Sequence, residues 1–296
     1  MTGFDLQPRV RVLAAGDRAR WRAFSLRQSL RGIWVIAYRE LLRFARERSR
    51  LASTLGMPII FMVVFSEGLK RQIGALAVGV DFVKFMYPGI IAMSVFINAI
   101  FSGLSVVWDR EIGFLKEVLV SPLNRSGVVL GKALGASVIA LFQALVMLAL
   151  APLFGVPLSL RIVLELIPIV VVLAFSLAGF GLLIGSRMRS QQGFQVLVQM
   201  VVFPLTFLAG VFFPVNNVPR WMEIVSKLNP LTYGVDAIRR IFLVGEISAT
   251  GQNSGHSIIG VTVFGHTTTT IEDVALVGVL GAALLIGAIF SFNRHT

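Results

Sequence analysis

Apolar residues fall along this chain in six long runs separated by polar stretches, at positions 51–69, 86–108, 128–154, 162–186, 194–215 and 274–292. A helix needs about 20 predominantly apolar residues to cross a bilayer, so the pattern predicts six transmembrane helices in an all-α polytopic membrane protein. The segment ahead of them, 26–50, has a helical rhythm instead. Leu30, Ile33, Trp34, Ala37, Leu41 and Phe44 form one stripe, and Arg39, Arg43, Arg46 and Arg50 run along the opposite one. This predicts an amphipathic helix lying in the interface plane beside anionic headgroups, with a solvated basic face as the plainer alternative. Residues 1–25 show no pattern and are expected to be mobile. The resulting plan is a tail (1–25), an interfacial helix (26–50) and a six-span domain (51–296).

Small residues and prolines refine the spans. Gly127, Gly131 and Gly135 recur four apart at the start of the third, and Gly181 and Gly185 do so in the fourth, a spacing that permits close helix contact. Pro88 sits near the start of the second span. Pro204 falls inside the fifth and Pro214 at its end, so that helix is expected to kink or break midway.

Composition agrees with a membrane protein. The 296 residues are 56% hydrophobic and only 14% charged, and their mean hydropathy is +0.82; a soluble domain carries roughly 25% charged residues. The net charge is +12, which on a soluble chain would suggest nucleic acid. Here it is concentrated: residues 1–50 hold twelve Arg against four acids. With six spans both termini share one side, and that side collects about nineteen of the 27 Lys and Arg. The positive-inside rule therefore places both termini in the cytoplasm, and no early apolar core marks a secretory signal. The absence of cysteine excludes disulfides and thiolate chemistry.

Candidate chemistry is sparse. Lys132, one turn inside the third span, is expected to snorkel to the cytoplasmic interface, and Glu165 lies one turn inside the fourth at the outer face. No metal-ligand motif, nucleophile elbow or phosphate loop occurs, so if ATP supplies energy, a second polypeptide must bind it. The second span carries Ser94, Asn98, Ser102 and Ser105 at helical spacing with Phe101 beside them. This stripe either hydrogen-bonds between helices or faces a cavity through which cargo passes.

Two stretches, WDREIGFLKEVLVSPLNRSGVVLGK at 108–132 and FPLTFLAGVFFPVNNVPRWMEIVSKLNPLTYGVDAIRR at 203–240, closely resemble the type-2 ABC exporter permeases, the group that includes bacterial drug-resistance and Nod-factor export permeases. The entry segment YRELLRFARERSRL at 38–51 and the six-span plan extend the resemblance over nearly the whole chain after about residue 30. It implies that the N-terminal amphipathic helix is a connecting helix. It also implies that the loop after the second span is a short coupling helix touching an ATPase, with Asp109, Arg110, Glu111, Gly113, Phe114, Leu115 and Glu117 in that contact. Short re-entrant helices are implied on the outer side before the last span. Pro219 and Pro230 would open them, with Asn229 beside Pro230, Trp221 and Tyr233 at interfacial depth, and Asp236 pairing with Arg239 or Arg240. Residues 245–272 make a longer outer loop than the motif requires, and the first 25 residues have no counterpart.

The implied function is the permease subunit of an exporter in the cytoplasmic (inner) membrane, moving an amphipathic, lipid-like, drug or glycolipid cargo. Its partners would be two copies of a separately encoded ATPase, a second permease copy or related chain, and membrane lipids, with no nucleic acid. ATP and Mg would bind the ATPase, and no cofactor or metal this chain. The expected pathway runs between two protomers, lined by Ser94, Asn98, Phe101 and Ser102 of the second span and Phe203, Thr206 and Phe207 of the fifth. A membrane-embedded transferase, which would need clustered acids or His near one face, or a secondary carrier, which would need mid-membrane ionisable residues or paired inverted repeats, is the alternative.

Overall fold

A computed structural model describes residues 15–73, 82–113, 125–215, 218–250, 262–263 and 266–295. Nine α-helices are described: α1 (Ala15–Arg46), α2 (Arg48–Ile73), α3 (Phe82–Glu111), α4 (Arg125–Leu150), α5 (Leu160–Arg187), α6 (Gln191–Leu208), α7 (Arg220–Leu228), α8 (Pro230–Thr250) and α9 (Thr270–His295). A 3-10 turn, Ala151–Phe154, prolongs α4, and two antiparallel two-residue strands lie between α8 and α9. Among the described residues six segments are long and apolar enough to span: Arg48–Phe65, Phe82–Glu111, Ser126–Phe154, Leu160–Arg187, Gln191–Leu208 and Thr270–Phe292. The chain is an all-α polytopic membrane protein.

The central element is α3, with 78% of its span window buried, against 11% for α2. Backbone contact explains how α5 reaches it. A Cβ added to Gly181 would meet the Ile100 carbonyl, and one on Gly103 would meet the Gly181 carbonyl. Helices in lipid gain no hydrophobic drive from pairing, so close packing over small residues has to hold them. On the opposite face of α5, Gly281 of α9 meets Ser176 and Gly179 meets Leu285.

Three expectations change. First, helix begins at Ala15 and α1 stops at Arg46, so Arg50 belongs to the first turn of α2. The α1 stripe also divides. Ala37 and Phe44 are buried while Leu30 and Trp34 are exposed, because α1 packs on α4, with Ile36 and Glu40 seated over Gly131 and Gly135. Second, α6 runs unbroken through Pro204. Third, it ends at Leu208, short of Pro214. Gly210 follows with φ +78°, a left-handed conformation that glycine adopts without a Cβ clash and that turns the chain out of the helix.

We call the face holding the start of α2 and the end of α3 the near side, and the face holding α7 and the start of α8 the far side.

Candidate functional site: a lateral cavity and a charged knot

The last residues of α3 radiate to four other helices. Asp109 is buried at 3% exposure and accepts from Arg39 of α1 (2.8 Å) and from Lys132 Nζ of α4 (2.6 Å). Lys132, 2% exposed, also donates to Glu40 Oε1 (3.0 Å) and Ser105 Oγ (2.8 Å). All three ammonium protons are thereby placed, and the two cations balance the two carboxylates. A buried ion is tolerated when paired and fully hydrogen-bonded, and is costly otherwise. The next residue, Arg110, donates to the Ser186 and Met188 carbonyls, both at 2.8 Å, where α5 ends. A cation suits the negative end of a helix dipole. Glu111 accepts from the Gln191 backbone N–H (3.0 Å) and from its side-chain amide, at the positive end of α6. Asp109, Arg110 and Glu111 therefore fasten α3 to α1, α4, α5 and α6.

This overturns two expectations. Lys132 does not snorkel, and Asp109 lies within the bundle, because each offers the other a buried partner of opposite charge. Gly113, with φ +77°, closes the turn after α3. Phe114, Leu115 and Glu117 lie outside the described residues.

Beside the knot opens a cavity of about 580 Å³ between the α1–α2 junction and α3, with Gln143 of α4 in its wall. Arg43 and Arg50 border it with Glu47 and Trp108. Ser53, Thr54, Ser94, Asn98, Phe101 and Ser105 follow along its length, with Met57, Ile90 and Met93 among its apolar lining. Asn98 donates to Gln143 Oε1 (2.5 Å), and Gln143 Nε2 donates to the Thr54 carbonyl (2.8 Å). That carbonyl is available because Pro58, four residues on, has no N–H to give it. The two amides thus join α2, α4 and α3.

The remaining expected pathway residues divide. Ser94, Ser102 and Ser105 donate to carbonyls of their own helix, at Ile91, Ala99 and Ser102. Ser94 and Ser105 border the cavity and Ser102 does not. Phe101 meets the Phe194 ring edge-on, 6.4 Å between centroids. Thr206 turns inward and donates to the Val202 carbonyl (2.5 Å). Phe203 and Phe207 are 65% and 38% exposed, outside the cavity. They begin a row of rings that passes from Phe207 to Phe212 (5.0 Å) and on to Phe65 of α2 (5.5 Å).

Of the arginine stripe, Arg39 turns to the knot, and Arg43 lies 4.2 Å over the Trp108 ring. Arg50 sits 4.0 Å from Glu47, and Arg46 is exposed.

On the far side, Pro219 caps α7 and Pro230 opens α8, as the motif implies. Asn229 donates to the Leu205 carbonyl (2.7 Å) and accepts from the Leu231 N–H (3.1 Å). Tyr233 is buried, and its hydroxyl donates to the Lys227 carbonyl near the end of α7 (2.7 Å). Asp236 pairs with Arg240 at 2.9 Å. Arg239 donates to the carbonyls of Gly210 (2.6 Å), Phe85 (3.3 Å) and Val211 (3.4 Å) and stacks 3.8 Å over the Phe85 ring.

Sequence reasoning missed Gln143 and Glu40. Signals for both exist: Gln143 is the one amide in the apolar run 128–154, and Lys132, a charge inside a span, calls for a carboxylate partner.

The six spans, the Asp-Arg-Glu end of the second and the capped far-side elbow define a membrane transport subunit of the type-2 ABC permease class. A family model described as ABC-2 type transporter matches residues 31–243, and the chain belongs to that family. It is 24% identical over 244 residues to the ycf38 protein of Cyanophora paradoxa, covering 78% of this chain and 84% of that one. It is 29% identical over 222 residues to the inner membrane transport permease YadH of Escherichia coli (strain K12), covering 73% and 83%. With YbhR of the same strain, named as a probable multidrug ABC transporter permease, it shares 35% over 165 residues, covering 55% of this chain and 45% of that one.

Proposed function

We propose that this permease exports an amphipathic cargo across the inner membrane. The near side would face the cytoplasm together with both termini, and a separately encoded ATPase would bind the segment that follows Gly113. The observation that carries this reading is the Asp109–Arg110–Glu111 triplet. A push on the following segment is delivered to a helix end already fastened to α1, α4, α5 and α6. The lateral cavity would receive cargo from the inner leaflet, since aromatic and apolar walls with a few polar groups are the usual make-up of a small-molecule site. Cargo would then pass along α3 between the exposed flanks of α2 and α6, where a second permease copy closes the path. Two ATPase copies would bind ATP and Mg, and the names of YadH and YbhR, an inner membrane permease and a multidrug permease, support the location and cargo class.

The test is reconstitution of the full permease with its ATPase. Replacing Glu111 with Gln or Gly113 with Pro is expected to lower cargo-stimulated ATP turnover while the subunits still co-purify and cargo still binds. Undiminished stimulation in both assembled variants would rule the reading out.

A further inference from the structure

The lateral cavity is electrically asymmetric, and its asymmetry follows its length. It borders α3 from Trp108 to Ile90, about 27 Å at 1.5 Å per residue, close to the thickness of a bilayer's hydrocarbon core. At the Trp108 end stand two arginines and one glutamate. Arg50 shares Glu47 at 4.0 Å and lies 5.8 Å over the Phe44 ring. Arg43 lies face-on to Trp108. Stacking occupies the face of a guanidinium and leaves its in-plane N–H donors directed outward, and among the described residues no carboxylate meets Arg43 within ion-pair distance. Midway stand the Asn98 and Gln143 amides, and at the Ile90 end Met57 and Met93 offer flexible, polarisable apolar surface. Positive head, neutral polar middle and apolar end make one graded slot.

Resting on the cargo role given to the cavity above, we infer that it binds an anionic amphiphile in one orientation. The acidic head sits between Arg43 and Arg50, and the chain lies along α3 past Asn98 toward Met93. A planar guanidinium fork suits a phosphate or carboxylate head. A cationic amphiphile would meet like charge at the end where its head must lie.

The test uses the full chain in phosphatidylcholine nanodiscs, with Trp21, Trp34 and Trp221 changed to Phe so that Trp108 reports alone. Dodecyl phosphate, dodecylphosphocholine and dodecyltrimethylammonium, each brominated on the second chain carbon so that the bromine lies beside the head and Trp108, are titrated as quenchers. The phosphate amphiphile is expected to quench saturably and most tightly. Arg43→Gln and Arg50→Gln are each expected to weaken it about fivefold, from roughly 1 kcal/mol per basic residue. The Gln variants are expected to keep the wild-type thermal midpoint, which shows that they did not merely misfold, and Arg43→Lys and Arg50→Lys, which keep the charge without the planar fork, are expected to bind between Gln and wild type. Equal affinity for the three probes, or preference for the cation, overturns the head-group assignment and leaves the cavity as a cargo site. Saturable quenching by none of them overturns both. Displacement by inorganic phosphate alone, at the affinity of the amphiphile, reduces the site to a free-anion site and also overturns it. Competition by phosphatidylglycerol in the disc identifies the anionic amphiphile as a bilayer lipid, and its failure to compete identifies a separate single-chain cargo; either result upholds the assignment.

Discussion

The two sides of the bundle are held by different mixtures of bond. On the near side, side-chain ions meet one another: Lys132, Asp109, Glu40 and Arg39 close across three helices, while Arg110 beside them reaches the Ser186 and Met188 carbonyls. On the far side the buried cation bonds only to main chain: Arg239 reaches the Phe85 and Gly210 carbonyls, and Asn229, Ser226, Thr232 and Tyr233 bond to carbonyls at neighbouring helix ends. Side-chain ions can be exchanged for others by rotamer changes, whereas a carbonyl moves only with its backbone. The near side therefore contains an ion cluster that can be rearranged, whereas the far side, held chiefly to main chain, behaves as an anchor. This difference also explains why the charged residues of the second span's end are spread over four partners, while the Asn-Pro-Leu-Thr-Tyr block folds back on its own neighbourhood.

The largest effect that would sharpen this contrast is at Lys132. Lys132→Met leaves Asp109 and Glu40 buried without their shared cation and is expected to cost about 3–5 kcal/mol. It should be read as a fall in the thermal midpoint of the detergent-purified chain, and a midpoint near wild type would show that the knot carries no structural weight. Arg239→Met, at the anchor, strands three carbonyls. Its expected cost is about 2–3 kcal/mol by the same measurement, and limited proteolysis between α6 and α7 should quicken with it. Asn229→Ala removes a helix cap and a bond to α6 and is expected to cost about 1 kcal/mol, enough to rank it below Arg239 in a common unfolding assay. At the small end, Glu165→Ala breaks an exposed pair with Arg161 on the first turns of α5. No measurable change in stability is expected, because exposed ion pairs contribute little. A large loss there would mean that ion pairs outside the near-side cluster also hold the fold.

Hydropathy alone located the six spans, since each of the runs 51–69 through 274–292 overlaps a spanning helix. The four-residue glycine spacing marked real close approaches at Gly131, Gly135, Gly181 and Gly185. What spacing does not carry is the identity of the partner. The glycines of the third span meet α1 and not another span, because a helix assigned to the interface plane has no reason, from sequence, to lean on the bundle. Lys132 illustrates the same limit: one turn inside a span, snorkelling and burial are equally compatible with the sequence, and Glu40, 92 residues earlier, decides between them. Asn98 was legible as polar, but its bond to Gln143 depends on α3 and α4 facing each other at one height. Pro204 left a kink or a break open, and the helix is not broken there, since a helix in a bundle can lose one hydrogen bond and continue.

The packing of α1 on α4 also has a consequence for biosynthesis. Glu40 emerges from the ribosome 92 residues before Lys132, an interval of roughly 5–20 s at 5–20 residues per second. During that time two further spans must enter the membrane, and the carboxylate that will neutralise the third span's lysine waits on a helix with no groove yet to occupy. Glu40 therefore gains its lysine only once the third span has been made, and an alteration at Glu40 is expected to surface as a defect in a helix made much later.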